Sequence, residues 1–439
     1  MRIAVVGSGI SGILAARILL AKHEVDVFEA GSHVGGHACT VDVRAYEREI
    51  SADVAFMVLN QRTYPNFCRM LELLGVGTQN SDMSLSVRCW RTGLEYQGSS
   101  LNGLFAQRRN LISSAFYRML LDVARFNRQA LEFCESGDDQ TLLGDFLNGI
   151  GVGREFREQY LIPMSAAIWS TNPQSLAGFP AKFILGFFRN HGLLQLRDRP
   201  QWLTIAERSR NYVTELTRPL RDRIFLDTPV CNVERVGGAV RLVFDHRGSV
   251  NYDHVVLASH ADQSLRMLMD ASETERDILS GFPYQANTAV LHTDDSVLPK
   301  RRRAWASWNY HIPEQPTEQV SVTYDLNRLQ SLGLPGPLCL TLNPNCPIDE
   351  AKVVQRFEFQ HPVFTRESVH SQKRFEEING HDRVSFCGAY WGYGFHEDGV
   401  NSALAVTRSF GLDMELLGDR NPIRIGIAPQ LAGTGADGA

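Results

Sequence analysis

The sequence has no pair of cysteines at metal-ligand spacing. Its eight cysteines (39, 68, 89, 134, 231, 339, 346 and 387) are scattered, and none forms a C-x-x-C pair. That pattern excludes a usual zinc or iron–sulfur site and gives no disulfide framework, so a reducing, cytoplasmic setting is expected. Lysine is scarce, with five against 39 arginines, and formal net charge is −5. A general nucleic-acid binder needs a basic balance that this chain lacks. No apolar run reaches the ~18 residues of a membrane span. The apolar start could pass for a signal peptide, but glycines at 7, 9 and 12 interrupt it. Internal repeats and low-complexity linkers are also missing. What remains is an ordinary globular composition, 44% hydrophobic and 21% charged over 439 residues, too long for one small core.

The most informative stretch is Val5-Val6-Gly7-Ser8-Gly9-Ile10-Ser11-Gly12. It follows an apolar strand, Ile3 to Val6, and opens a helical pattern from Ile13 to Lys22. A second strand, Val25 to Phe28, ends on Glu29, seventeen residues beyond Gly12. Strand, G-x-G-x-x-G turn, helix, strand and acid together make a dinucleotide fingerprint. Gly7 allows the turn, Gly9 lets backbone approach a pyrophosphate, and Gly12 lets helix and strand pack. Ile10 and Ser11 open the helix, whose free N–H groups and partial positive charge suit phosphate. Glu29 and the following Ala30 stand where ribose hydroxyls are read. Gly35-Gly36-His37 then offers a second backbone approach to the same diphosphate.

Downstream, Asp53 to Asn60 reads as extended, followed by a helix from Tyr64 to Leu74 with Gly75 as its stop. Leu101 to about Gln159 is helical in pattern. Leu176 to Leu194 is aromatic and nearly uncharged. It reads as buried helices, as walls of an apolar tunnel, or as a face that meets lipid. Thr228–Val236, Ala239–Phe244 and Val250–Tyr252 form a meander turning at Gly237-Gly238 and at residues 246–249. Val255 to Ala258 reads as a buried parallel strand, and His260-Ala261-Asp262 caps a helix through Met269. Arg301-Arg302-Arg303 reads as a solvated turn or a contact for an anionic head group. Val320–Tyr324 and Leu338–Leu342 suggest a second sheet over a cavity. Near the end a strand stops at Gly388, a glycine- and aromatic-rich loop follows, and a helix starts near Glu397. Residues 419–439 read as a flexible tail.

On these residues the chain resembles the FAD-binding amine oxidase and phytoene desaturase superfamily. Glu29 to Thr40 resembles its E-x-x-x-x-x-G-G-R-x-x-T segment without a gap, with Gly31, His33 and His37 at positions often arginine. His37 thus replaces a fixed cation with one partly protonated near neutral pH. Gly388 to Val400 resembles the strand–loop–helix that closes over the flavin, where the helix start faces developing negative charge. The resemblance implies FAD contacts from Gly388, Glu397 and Val400, from Phe56 beside the ring, and from Val230 near the adenine. His396 falls where monoamine oxidases have a cage tyrosine. No cysteine lies at the tethering position upstream, so non-covalent FAD is expected. Lys300 is the nearest candidate for the family's lysine beside the flavin. Ala206-Glu207-Arg208-Ser209 replaces a Gly-Gly-Ser turn. The pattern as a whole is similar to bacterial amine-oxidase-like flavoproteins encoded beside methyltransferases of the cyclopropane-fatty-acid-synthase type.

The expected architecture is α/β. A Rossmann-type FAD-binding domain, of the two-dinucleotide-binding-domain kind, is built from 1–75, 205–285 and 380–418. An interleaved α+β substrate domain comes from 76–204 and 286–379. The expected activity takes a hydride from a small hydrophobic or lipid substrate such as a modified or unsaturated acyl chain. O2 or another acceptor reoxidises the cofactor. His396 and Tyr393 are the candidate catalytic residues, with loop packing as the alternative role. An amine oxidase releasing hydrogen peroxide and a non-catalytic flavoprotein partner of a lipid methyltransferase remain open. A cytoplasmic protein, with a peripheral contact at the inner face of the membrane, fits these readings.

Overall fold

The computed structural model describes residues 1–418 except 137, 170–174, 196–198, 246, 316 and 318. The expected tail at 419–439 and part of the turn at 246–249 lie outside the described residues.

Strand β1 (Arg2–Val6) lies at the centre of a five-stranded parallel sheet, flanked by β2 (Glu24–Phe28) and His254–Leu257. Val384–Phe386 and Ile224–Phe225 complete its edges. His254–Leu257 is buried along its whole length, as a strand covered on both faces must be. Helix α1 (Ile10–Leu19) packs on the helix His396–Ser409, which begins after the last strand of the sheet. Two helices therefore start at one end of the sheet, beyond the carboxyl ends of its strands, the usual ligand crevice of such sheets. Helix α1 begins at Ile10 rather than Ile13, because extended Gly9 (φ −65°, ψ 175°) already serves as its N-cap.

The meander Val230–Val236, Ala239–Phe244 and Gly248–Tyr252 forms as expected. Its first turn puts Gly237 and Gly238 at φ 57° and 80°, the left-handed pair that a tight hairpin requires. A seven-stranded mixed sheet forms the second large layer. Its order is Val353–Pro362, Tyr284–His292, Cys339–Leu342, Ser321–Asp325, Trp308–Ile312, Leu85–Cys89 and Glu95–Gln97. One face carries Tyr324, Leu340, Leu342 and Trp308 toward a cavity. The other face carries a buried polar ladder. His292 Nε2 meets Thr341 Oγ1 at 2.7 Å, Thr341 meets Thr323 at 2.8 Å, and Thr323 meets His311 Nε2 at 2.8 Å.

Leu176 to Leu194 does not present a face to lipid. Its helix Ala181–Asn190 buries Ile184, Leu185, Phe187 and Phe188, and Phe183 stacks inward against Phe364 and Tyr393. No helix among the described residues is long and apolar enough to cross a membrane.

The turn at Glu207-Arg208 keeps a glycine-type backbone without glycine, at φ 60° and 77°. Two contacts hold it. Asp53 accepts from Ser209 N at 3.1 and 3.0 Å, and Arg208 Nε donates to Ser51 O at 2.8 Å. A left-handed non-glycine residue costs on the order of 1 kcal/mol or more, partly offset by the greater unfolded-state entropy of glycine. Glu207 is exposed, so Glu207→Gly should raise stability by up to about 1 kcal/mol, read as a higher urea midpoint.

Candidate functional site

The fingerprint loop is built by close backbone packing. Gly7 N donates to Phe28 O at 2.8 Å, and Gly7 has φ 106°. A Cβ on Gly12 would stand 2.0 Å from Gly7 O. Gly35 N donates to Ser8 O at 3.0 Å, and a Cβ on Gly36 would stand 3.1 Å from Gly9 Cα. The second glycine pair thus lies directly against the first loop. The helix His396–Ser409 joins them through Gly399, where a Cβ would meet Ile10 Cγ2 at 2.8 Å and Ser11 Oγ at 2.9 Å. Around Gly9, in contrast, a Cβ would find nothing within 4 Å. Glu29 is fixed at the end of β2, accepting from Ser8 N at 2.9 Å, Ser8 Oγ at 2.5 Å and Gly31 N at 2.8 Å.

These elements bound one end of a cavity of about 1350 Å³, larger than the ~300–1,000 Å³ of an ordinary small-molecule pocket. Of the residues singled out from sequence, Gly7, Gly9, Ile10, Ser11, Glu29, Ala30, Gly35, Gly36 and His37 line it. So do Phe56, Val230, Gly388, Tyr393 and His396. Gly12 lies behind the loop as a packing residue. Glu397 and Val400, expected to contact the cofactor from the first turn of their helix, do not themselves line the cavity. The Glu397 carboxylate turns away and caps the helix Pro65–Leu74, accepting from Asn66 N at 3.1 Å and Phe67 N at 2.8 Å. An acid at a helix N-terminus is a favourable use of its charge. Val400 is fully buried in the apolar core between helices.

His37 also needs correction. Shielding from bulk solvent, with His361 and His260 beside it, pushes its pKa down to about 3, so at neutral pH it is not a partial cation. Its ring lies 5.4 Å from that of His361, whose pKa burial lowers to about 4. His260 stacks on Tyr284 at 4.4 Å. His37 Nε2 and His260 Nδ1 are buried without a hydrogen-bond partner, and all three histidines line the cleft. His260 and His361 are 101 residues apart in sequence, so no local pattern marks them as a cluster. An uncommitted polar rim, open space at Gly9 and a glycine cradle fit a diphosphate-bearing cofactor.

His396 is buried, and its ring stacks on Phe56 with centroids 3.6 Å apart. Its Nε2 lies 2.9 Å from Tyr212 Oη. Burial, then His37, lowers its pKa to about 3, so it is neutral at physiological pH and has no proton to donate as an imidazolium. Burial raises the Tyr393 pKa, and that ring packs on Phe183 and Phe187. Both residues therefore present neutral aromatic surface to the cavity. Lys300 is exposed and does not line it.

Beyond Phe56 and His396 the walls become apolar, with Met119, Leu120, Val123, Met164, Ile168 and Leu340 among them. Among the described lining residues the only carboxylates are Glu29, at the dinucleotide end, and Asp82, whose side chain is 46% exposed beside Arg328. The only lining cysteine among them is Cys231, beside Val230; Cys387, next to Gly388, is buried outside the lining.

The fold is shared with several solved structures. A CLA-producing fatty acid isomerase from P. acnes is 15% identical with a TM-score of 0.67, covering 93% of this chain and 98% of that one. A putative protoporphyrinogen oxidase from Exiguobacterium sp. 255-15 is 18% identical with a TM-score of 0.65, covering 93% and 98%. Cyclohexylamine oxidase from Brevibacterium oxydans is 14% identical with a TM-score of 0.67, covering 93% and 99%. A comparison with curated proteins gives no match. The family of flavin containing amine oxidoreductases matches residues 10–326, well over half of the chain. The glycine cradle, the cleft it opens and this match agree: the chain belongs to the flavin containing amine oxidoreductase family and is an FAD-dependent oxidoreductase.

Proposed function

We propose that the protein oxidises a small hydrophobic or lipid substrate of acyl-chain type, using non-covalent FAD and O2 as acceptor. The observation that carries this reading is the apolar half of the cavity, from Met119 and Val123 to Met164 and Leu340; among the described residues the only lining carboxylates are Glu29, at the dinucleotide end, and Asp82, beside Arg328. In this reading the discontinuous segments 1–75, 205–285 and 380–418 hold the cofactor. Residues 76–204 and 286–379 enclose the substrate. Among the cofactor contacts, Gly7 to Ser11 and Gly35 to His37 receive the diphosphate and Glu29 the ribose. Val230 lies toward the adenine, and Phe56 and Gly388 toward the ring. Bound FAD supplies two-electron acceptance from a C–H bond.

The chain's own part is orientation and dryness. Phe56 and His396 form one aromatic wall, and Tyr212 fixes the His396 ring through its hydroxyl. Tyr393, held by Phe183 and Phe187, forms the next wall. Neutral walls exclude water and leave the reacting carbon beside apolar surface. The protein works on the cytoplasmic side with a peripheral membrane contact. Incubation with unsaturated or methyl-branched acyl lipids in air should give a product lighter by two hydrogens, with hydrogen peroxide released. Peroxide release with amines and none with lipids would reject the reading.

Amine oxidation is the second reading, supported by the family and by the aromatic wall at Phe56 and His396.

A further inference from the structure

Large exposed apolar side chains are concentrated in one place. Of the twelve among the described residues, six fall between residues 101 and 131: Leu101, Leu111, Ile112, Tyr117, Leu121 and Leu131. Ile112 is 89% exposed, Leu101 77% and Leu121 68%. They lie on three consecutive elements, the helix Leu101–Leu104, the turn Arg108–Ile112 and the long helix Ser114–Glu135. On the long helix, Tyr117, Leu121, Arg125, Arg128 and Leu131 recur at helical spacing and are all exposed, so they form one outward stripe. The opposite side of that helix buries Phe116, Met119, Val123 and Phe126. Exposed apolar side chains concentrated on three consecutive elements in this way suit an interaction site better than ordinary scatter.

The charge of the surface says what it meets. The same stretch carries five arginines (108, 109, 118, 125 and 128) and one acid, Asp122, which is buried and caps Gly153 N. Glu132 and Glu135 lie beyond it at the helix end. Arg118 pairs with Glu155 at 3.1 Å and Arg125 with Asp122 at 3.2 Å, whereas Arg108 and Arg109 donate to backbone carbonyls and to Asn102, not to carboxylates. A second copy of the chain, placed symmetrically, would set arginines against arginines. The surface is also continuous with the substrate cavity. Gly98 and Ser99 are exposed and line the cavity, as do the partly buried Leu104 and Leu120.

We propose that residues 101–131 dock on an anionic lipid bilayer, with Leu101, Leu111, Ile112 and Leu121 entering the interface and the arginines meeting head-group phosphates. Lipid then reaches the cavity past Gly98, Leu104 and Leu120 without crossing water. An apolar face bordered by arginine suits an interfacial helix. The inference rests on the reading of a lipid-derived substrate, but vesicle binding is measured without turnover, so the two fail separately.

The test is co-sedimentation of the full-length holoprotein with phosphatidylcholine vesicles and with equimolar phosphatidylcholine–phosphatidylglycerol vesicles. Partition onto the anionic vesicles, weakened by salt, is expected. Arg108→Glu with Arg128→Glu should weaken it by at least about 25-fold, taking about five-fold for each arginine lost. Ile112→Ser with Leu121→Ser should weaken it by about ten-fold or more. None of the four lines the cavity, so flavin absorbance and thermal midpoint should stay unchanged, which confirms that the variants fold. The proposal is overturned by absence of binding, or by equal binding to neutral vesicles that the variants do not change. It is also overturned by a concentration-dependent dimer that the same substitutions abolish. If detergent-dispersed acyl lipid still reduces the flavin when vesicles are not bound, the docking fails and the substrate reading stands.

Discussion

Acidifying the protein from about pH 7 to about pH 5 should unfold it. Five buried histidines have native pKa values far below the ordinary value. His311 and His396 are lowered to about 3 and His191, His254 and His292 to about 4, in each case first by burial. A histidine in the unfolded chain titrates near 6.5. Below that pH the unfolded state takes up protons that the native state refuses, so stability falls as pH falls, down to about pH 4. Asp398 works in the opposite direction. Burial raises its pKa to about 7, so between that value and the unfolded aspartate range the native state holds one extra proton. Setting aside the cleft histidines His37 and His361, which are lowered as well, the balance is about four protons, or about 5 kcal/mol lost per pH unit below about pH 6. That is comparable with a total stability of ~5–15 kcal/mol.

His292 shows why the refusal is local. Its Nδ1 accepts Asp294 N at 3.1 Å while Nε2 meets Thr341 Oγ1. A proton on Nδ1 would face an N–H donor. Urea midpoints measured across this pH range should fall steeply. His311→Gln should flatten the slope by about one proton. A midpoint independent of pH would contradict the burial of these rings.

The second large effect separates two glycines three residues apart. Gly12→Ala places a methyl 2.0 Å from Gly7 O and 3.0 Å from Ala258 Cβ. Backbone cannot yield as a side chain does, so a loss of about 3 kcal/mol or more is expected, at or beyond the top of the range for overpacking. Gly9→Ala meets nothing, and its φ of −65° suits alanine. The apoprotein should therefore keep or slightly gain stability, within about 1 kcal/mol. On the proposed placement of the cofactor, however, its added methyl stands where the pyrophosphate approaches. Flavin affinity in Gly9→Ala should fall by about 100-fold or more, read by quenching of free FAD fluorescence, which is about 3 kcal/mol of binding. If Gly9→Ala binds FAD as tightly as the parent, the cradle has been assigned to the wrong loop.

How much of this was legible depended on whether the signal was local. The fingerprint, Glu29 and the run Val255 to Ala258 were legible because each glycine or apolar run has one physical reason to be there. The hairpin Thr40–Ala45 with Arg48–Asp53 gave no such sign. Its left-handed turn residues are Tyr46 and Glu47, at φ 51° and 61°, not the usual asparagine and glycine. The strand Val353–Pro362 was hidden too, because it is an edge strand of mixed polarity. His361 lies on it, so the histidine cluster over the cleft was also out of reach. For Glu397, helical phase decided the matter. Its position at a helix start near the cofactor was readable, but the cap it supplies to Pro65–Leu74 depends on a helix more than 300 residues away. His396 was legible as a site residue but not as a neutral ring, since its partners Phe56 and Tyr212 come together only in the fold.

What the apolar half of the cavity admits decides the substrate class. The most direct measurement is anaerobic bleaching of the bound flavin, mixing the holoprotein with unsaturated or methyl-branched acyl lipids and, separately, with primary amines and polyamines. Loss of the yellow absorbance with the acyl lipids and none with the amines is the predicted result. Bleaching by amines, with the acyl lipids inert, would contradict it.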